Sequence, residues 1–255
     1  MKHKYLPLLA AATTLGLAAC SNDNSTPVGT GYFRALNGVT DSSSMNVDLG
    51  NVGTASAIAY ADASGVTTIP EGSYDATVKP TGDSSQDYKV TGVPINHDQV
   101  STVLTYGSVS AGTKSGFKAT ESISAPTTAN TFSVQFIDDA YTDSQLSPSL
   151  NFYIIPTGST ISDVTPVSVQ FGSASARTDF QISSDGNYEL VIKGTSGVTI
   201  YDSGTSAQLL QNGANVLQIA AVDAPSGSSA VSPLAVVVMD NKGGHFQVAP
   251  ATASN

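Results

Sequence analysis

Cysteine, tryptophan and histidine are scarce in this 255-residue sequence, which has one Cys, no Trp and three His. A single Cys excludes an intrachain disulfide, so packed cores must supply the stability. The same scarcity argues against a zinc site, which needs three or four His, Cys or carboxylate ligands. Ten Lys and Arg against twenty Asp and Glu give a net charge of −10, which makes nucleic acid a poor partner.

The N-terminus has the pattern of an export signal. Basic residues at positions 2–4 precede an apolar run over residues 5–16, which is too short to span a bilayer as a helix. The next four residues, Leu-Ala-Ala-Cys ending at Cys20, resemble the lipobox of bacterial lipoproteins. The resemblance implies cleavage between Ala19 and Cys20, and acylation of Cys20 that palmitate would label. An ordinary secretory signal cut near Ala19 is the alternative.

A lipid on Cys20 would anchor the chain, because two or more acyl chains bind a bilayer stably at about 0.8 kcal/mol per buried CH₂. Residue 21 is Ser instead of Asp, and similarity to lipoproteins with that feature implies the outer membrane. The Ser-, Asn-, Thr- and Gly-rich stretch that follows suits a flexible tether. We therefore expect a membrane partner through the lipid, in the bacterial cell envelope, and no nucleic-acid partner.

Two octads 114 positions apart carry the same pattern: Glu71–Val78 reads EGSYDATV and Asp185–Ile192 reads DGNYELVI. Apolar and polar residues alternate after each tyrosine, which predicts a strand with one buried face. Similar pairs flank the octads in the same order, such as Val103-Leu104 and Val216-Leu217 at a spacing of 113. The sequence therefore predicts one unit of about a hundred residues written twice, with a core of its own in each copy.

Short alternating or β-branched runs separated by polar turns predict strands throughout, and no amphipathic helix of useful length is present. The predicted fold is all-β, with two tandem immunoglobulin-like Greek-key β-sandwich domains after a lipoprotein signal peptide. The predicted organisation is a signal peptide at 1–19, a tether at 20–30, a first domain at 31–124, a linker at 125–130, a second domain at 131–241 and a loose tail at 242–255.

A Gly-x-Tyr pattern opens the alternating stretch of each unit, at Gly72 and Tyr74 and again at Gly186 and Tyr188. It resembles a tyrosine corner, in which a tyrosyl hydroxyl bonds back to the preceding chain. The cysteines and core tryptophan of antibody domains are missing. The expectation is therefore an immunoglobulin-like shape without membership of that superfamily.

The first unit also resembles a bacterial family called domain of unknown function 4397. The resemblance rests on Tyr32–Asn37 (YFRALN), the following Asp41, Asn46–Leu49 (NVDL) and the turn Ile69–Tyr74 (IPEGSY). The second unit matches less well, since Asp138 replaces the Asn of the first motif. The family name indicates that no common activity is established, so the resemblance implies no catalytic residues.

Side chains suited to metal binding or acid–base chemistry are few. His97 lies in a predicted turn and His245 near the predicted tail, where a histidine is normally solvated. Asp138, Asp139 and Asp143 fall in one predicted loop, and hard oxygen ligands suit Ca²⁺. No calcium-loop motif is present, and loop aspartates normally cap turns, so calcium is only a minor alternative to having no cofactor besides the lipid.

A glycosidase would need two carboxylates about 5 to 10 Å apart in a cleft. No acid sits in an apolar sequence context that would raise its pKa; the closest, Asp48, is read as an outward residue of a strand. Sugar stacking is one interpretation of several tyrosines, and strand preference is the simpler one. The tyrosines concerned are Tyr60, Tyr106, Tyr141, Tyr153 and Tyr201.

We expect a non-catalytic protein whose domains bind or display loops to a protein or glycan partner. A structural component of an envelope assembly and a glycan-acting hydrolase are the alternatives. A cleft with paired carboxylates would favour the hydrolase. A long unprotected edge strand would favour assembly.

Overall fold

The computed structural model describes residues 29–81, 86–141, 147–211, 213–225 and 232–251. Within these ranges the regular structure is β-strand, with short 3₁₀ turns such as Gly50–Val52 and Ile161–Asp163. The all-β class predicted from the sequence is confirmed. The signal peptide with Ala19 and Cys20, and Asp143 of the calcium alternative, lie outside the described residues.

The described residues of the first unit, which spans residues 30–122, form nine strands in two sheets. They are β1 Thr30–Val39, β2 Ser44–Asp48, β3 Thr54–Ala59, β4 Asp62–Ala63, β5 Thr67–Pro70, β6 Gly72–Pro80, β7 Tyr88–Ile95, β8 Gln99–Gly107 and β9 Ser115–Ser122. The inner sheet has the order β4-β1-β8-β9, with β5 also paired to β1, and the outer sheet has the order β3-β2-β6-β7. Strands β1 and β8 are parallel, and the other pairs are antiparallel.

The described residues of the second unit, which spans residues 131–248, form ten strands. They are β10 Thr131–Asp139, β11 Ser149–Pro156, β12 Val167–Gln170, β13 Ser173–Ala174, β14 Thr178–Gln181, β15 Tyr188–Gly194, β16 Thr199–Asp202, β17 Val216–Asp223, β18 Leu234–Asp240 and β19 His245–Val248. Its inner sheet has the order β13-β10-β17-β18-β19, with β14 also paired to β10, and its outer sheet has the order β12-β11-β15-β16.

The predicted repeat is present strand by strand, since β1 to β9 correspond in order and pairing to β10 to β18. The two octads align at their spacing of 114, because Val78 pairs with Val47 as Ile192 pairs with Phe152. The predicted match of Val103 with Val216 is wrong by three residues. In the structure Val216 corresponds to Val100, since these residues occupy equivalent register positions beside β10 and β1.

Three buried apolar clusters stack the four sheets in layers. One lies between the inner and outer sheets of the first unit and another between those of the second. The third joins the two inner sheets across the boundary between the units. The sheets therefore face one another as in β-sandwiches. The immunoglobulin-like Greek-key connectivity remains a prediction.

The C-terminal segment differs from its prediction as a loose tail from residue 242. Residues His245–Val248 form β19, which pairs antiparallel with β18. Phe246 and Val248 pack against the core of the second unit, and this burial holds the segment in place. The sequence could not show this, because a four-residue strand after two glycines has little periodicity of its own.

Candidate functional site at the seam between the units

The feature that dominates the structure is the apolar surface between the two inner sheets, which we call the seam. It contains Leu36, Ala61, Ala63, Leu104, Ala119, Ile137, Ala220, Val222, Val237 and Met239. Because each inner sheet packs on its outer sheet as well, its central strands are buried on both faces. All nine residues of β10 and all eight of β17 are buried. The sequence of a strand that is buried on both faces is a nearly continuous apolar run. This explains why apolar and polar residues alternate only weakly in β10 and β17.

One end of the seam holds a buried polar network centred on Arg34 in β1. Its guanidinium donates to Thr102 Oγ1 (3.1 Å), to Gln218 Oε1 (2.6 Å) and to the carbonyl of Asp240 (2.7 Å). Gln218 Nε2 donates in turn to Gln135 Oε1 (2.6 Å). Burial lowers the pKa of Arg34 to about 10, against the opposing fields of Asp240 and Glu121, so the side chain stays charged at neutral pH.

This network is built from equivalent positions of the repeat. Arg34 in β1 corresponds to Gln135 in β10, and Thr102 in β8 corresponds to Gln218 in β17, by the same register that aligns the strands. The two units therefore meet face to face through one surface used twice. The guanidinium of Arg34 and the amides of Gln135 and Gln218 are linked by directional hydrogen bonds. Apolar side chains at the same positions would make no directional contact, so the network fixes how one inner sheet is placed on the other.

Asp139, at the end of β10, is the most unusual group of the seam. It is fully buried, and neither carboxylate oxygen has a hydrogen-bond partner among the described residues. Burial raises its pKa well above the ordinary value, and the charges of Asp138 and Asp223 add to the shift. The expectation that no acid lies in an apolar context is therefore wrong. One sequence neighbour, Asp138, is acidic, and the apolar surroundings form only when the two inner sheets pack together.

The predicted loop with Asp138 and Asp139 is also wrong, since both residues belong to a strand. Adjacent strand residues point to opposite faces of the sheet. Asp138 Oδ1 accepts a hydrogen bond from the amide of Ala140 (3.2 Å), as Asn37 Oδ1 accepts one from Val39 (3.0 Å) at the equivalent place. Within the described part of the chain, no group of three His, Cys, Asp or Glu residues is arranged to hold a metal ion.

The opposite end of the seam carries aromatic side chains from both units. Tyr106 stacks on Tyr141 with ring centroids 5.8 Å apart, and its edge meets Phe171 at 4.9 Å. These rings are half-buried against one another, which offers less free surface than the sugar-stacking interpretation needs. Aromatic contacts of this kind stabilise the association of the units.

The other candidate tyrosines also have structural partners. The Tyr60 hydroxyl donates to the carbonyl of Asp223 across the seam, and Tyr201 donates to the carbonyl of Val248 (2.6 Å). Tyr153 lies in β11 with the ammonium of Lys193 5.8 Å from its ring centroid. Asp48 lies as predicted on an outward face, where it forms an ion pair with Lys79 (3.0 Å).

The two histidines have different environments. His97 is largely exposed, as predicted, near Glu71 and Asp98. His245 instead lies in β19, only 28 % exposed, with Nε2 at 3.1 Å from Asp62 Oδ1 of the first unit. The prediction of a solvated tail histidine is therefore wrong for His245, which helps to join the units.

The two Gly-x-Tyr tyrosines bond back to the preceding chain. Tyr74 Oη donates to the carbonyl of Pro70 (3.0 Å). Tyr188 Oη accepts from the amide of Ser183 (2.9 Å) and donates to the carbonyl of Gln181 (3.4 Å). Gly186 has a φ of +72°, a left-handed conformation that favours glycine, whereas Gly72 is close to extended.

The surface also has two open clefts. One, of about 410 Å³, separates edge strand β3 from the β4–β5 edge, and Asp62 is the carboxylate residue in its lining. The other, of about 570 Å³, lies between β19 and the segment 206–211, and its lining contains no charged residue. Neither cleft has the paired carboxylates that a glycosidase needs.

Comparison with known families applies mainly to the first unit. Residues 31–153 match the family model described as a domain of unknown function, DUF4397. These residues are therefore similar to a DUF4397 domain. The DUF4397 match runs through the first unit and ends within β11, so it includes the first strand of the second inner sheet. The resemblance inferred from the sequence motifs is confirmed.

The other comparisons add little about activity. No curated protein matches the chain. No helix of the described residues combines the length and apolar character needed to cross a bilayer. The DUF4397 description names no ligand or reaction.

Proposed function

We propose that this protein is a non-catalytic binding and display module of the bacterial cell envelope, held to the membrane by a lipid on Cys20. The seam is the observation that carries the proposal. It buries an apolar cluster, the Arg34 network and Asp139 between the units, which favours a single body with its edges and loops outward. A body of this kind presents surfaces at a fixed geometry, which suits binding.

The acidic groups support the binding role over the hydrolase alternative. The carboxyl group with the strongly raised pKa, Asp139, is enclosed in the seam and out of contact with solvent. Asp62, in one of the clefts, is engaged by His245. A general acid must reach its substrate within hydrogen-bond distance, which the enclosure of Asp139 prevents, and Asp62 has no second carboxylate beside it in the lining of its cleft.

The proposal of a lipid anchor is supported by the sequence motif and by the length of the segment between Cys20 and the first described residue, Gly29. The Leu-Ala-Ala-Cys motif ends at Cys20, and the described body begins at Gly29. The polar composition of the segment between them, which lies outside the described residues, suits a short tether from the bilayer to the first unit. The residue after the cysteine, a serine, supports the outer membrane as the site of anchoring.

Two readouts test this proposal. Radioactive palmitate should label the wild-type protein and leave the Cys20→Ala variant unlabelled; persistent labelling of the variant would refute the anchor. Protease treatment of intact cells, followed by detection of the second unit, then reports the face. Loss of the band while a periplasmic control survives indicates surface display. A surviving band that is lost in lysed cells indicates an inward-facing partner.

The assembly alternative depends on edge strands, and several of these are irregular. In β3 the register shifts between Met45 and Val47 of its partner, and Ala57 adopts a left-handed φ of +54°. The pairing of β16 shifts between Ile192 and Lys193. Bulges of this kind protect an edge from pairing with another chain, so the edges at β3 and β16 give repeated strand-to-strand assembly little support.

A further inference from the structure

The ten-strand second unit has an element without a counterpart in the first. Strands β1 to β9 correspond to β10 to β18, and β19 is the additional strand at the edge of the second inner sheet. The 570 Å³ cleft is bounded by β19 and the residues after it, Phe246–Pro250. The first unit, which stops at β9, has no equivalent wall for such a cleft. The two units of the repeat therefore differ at β19, the strand that bounds this cleft.

The outer edge of β19 offers free backbone groups to this cleft. In an antiparallel pair, alternate residues direct their N–H and C=O groups away from the partner strand. β18 lies on one side of β19, and no strand among the described residues pairs with the other. The amide of Asp240 donates to the carbonyl of Gly244 (2.8 Å), so alternation directs the main-chain groups of Phe246 and Val248 toward β18 and leaves those of Gln247 on the open edge.

The facing wall supplies uncommitted polar side chains. Ser206, Gln208 and Gln211 are exposed and line the cleft. None of the three forms a side-chain hydrogen bond within the described residues, whereas Gln247 is engaged by the carbonyl of Ala61 (2.8 Å). A carboxamide both donates and accepts, so it can pair with the main chain of an extended peptide.

We propose that this cleft binds an extended peptide segment of a partner protein, which adds as a strand to β19 while Gln208 and Gln211 hold its far side. Strand β19, the four residues His245–Val248, corresponds to about 13 Å of extended chain at about 3.3 Å per residue. Main-chain pairing supplies the affinity in strand addition, and alternate side chains supply the specificity.

The negative net charge of the protein disfavours acidic peptides as ligands. The cleft lining is uncharged, but the whole chain has a net charge of −10, which repels acidic segments approaching within about 10 Å. The ligand is therefore neutral or basic and lacks Asp and Glu. It also lacks proline at the positions that pair with β19, because proline has no N–H to donate.

This inference rests on the proposed binding role and names its site and ligand class. The test pans a phage library of random heptapeptides on the purified full-length protein. The cleft variant is Gln208→Glu with Gln211→Glu, and Gln170→Glu, also exposed but on edge strand β12, is the matched control. Enriched peptides should lack acidic residues and internal proline. A synthetic copy should bind at least tenfold more weakly to the cleft variant and equally well to the control.

Two forms of that peptide are N-methylated, one at the odd amides and one at the even amides. In strand addition only alternate amides face β19, so one form should lose binding and the other should keep it. The proposal fails if no peptide is enriched, or if enriched peptides bind the cleft variant as tightly as the wild type. It also fails if cellohexaose, a neutral oligosaccharide, shifts the amide NMR signals of residues 206–211 while peptides do not, because the cleft would then be a glycan site. Palmitate labelling and protease shaving do not involve the cleft, so they judge the proposed function separately.

Discussion

Gly38 and Asp139 occupy equivalent positions of the repeat and meet across the seam. A Cβ atom on Gly38 would lie 2.7 Å from Asp139 Oδ2 and 2.5 Å from the carbonyl oxygen of Thr105. The first unit thus has its smallest residue where the second has a carboxylic acid. The two inner sheets can approach closely here because Gly38 has no side chain and so leaves room for the buried carboxyl group of Asp139.

Gly38→Ala should therefore destabilise the protein by about 2 kcal/mol, because the backbone oxygen of Thr105 cannot move aside as a flexible side chain would. The measurement is urea unfolding followed by circular dichroism. Gly65→Ala is the matched control, since a Cβ there meets nothing within 4 Å, and it should change stability by less than about 0.5 kcal/mol. Equal effects of the two substitutions would contradict the close approach at the seam.

Asp139→Asn should change how stability depends on pH. The folded pKa of Asp139 is raised above the unfolded value of about 3.9, so the folded state binds the extra proton. Wild-type stability is then unaffected below about pH 4 and falls as the pH rises toward the folded pKa, by up to about 1.4 kcal/mol per unit. An asparagine side chain does not titrate, so the variant should gain stability relative to the wild type as the pH rises.

Thermal unfolding of both proteins from pH 4 to pH 8 measures that difference, and other titrating groups cancel in it. Asp48→Asn provides a control of opposite sign. The hydrogen bond from Lys79 lowers the pKa of Asp48, so this substitution should cost most at neutral pH and least in acid. A stability difference for Asp139→Asn that does not vary with pH would show that the carboxyl is not buried in its neutral form.

Arg34→Met should cost about 3 kcal/mol, because it removes the short charged hydrogen bonds to the buried Gln218 amide oxygen and to the Asp240 carbonyl. Arg177→Met is a suitable comparison. Arg177 is partly exposed, and its contacts with Glu121 and Asp179 are 3.8 and 3.9 Å long, so its loss should cost about 1 kcal/mol. Chemical denaturation measures both, and a smaller cost for Arg34 than for Arg177 would argue against the network.

Tyr188→Phe should destabilise more than Tyr74→Phe. The Tyr188 hydroxyl belongs to a fully buried side chain and satisfies the Ser183 amide, so its removal should cost about 1 to 2 kcal/mol. Tyr74 is less buried, and water can replace its bond to Pro70, so the cost should stay below about 1 kcal/mol. Differential scanning calorimetry of the two variants decides the order; the reverse order would show that the hydroxyls do not act through these bonds.

The repeat and the strands of the outer sheets were readable from the sequence because each of those strands buries one face. Val47 and Val78 alternate with outward polar residues, and the Gly-x-Tyr pattern marks the same turn in both units. The resemblance of the first unit to DUF4397 depended on such local motifs as well.

By itself, the sequence determined the all-β class, the doubled unit and the expectation of a lipid anchor, since these depend on local period, spacing and the single Cys20. Only the tertiary structure decided that the inner sheets meet, that Arg34 and Asp139 are enclosed, and that β19 forms a wall of an open cleft. The physical reason is that burial of a polar residue depends on what packs over it from a distant part of the chain. No pattern of neighbouring residues records that contact.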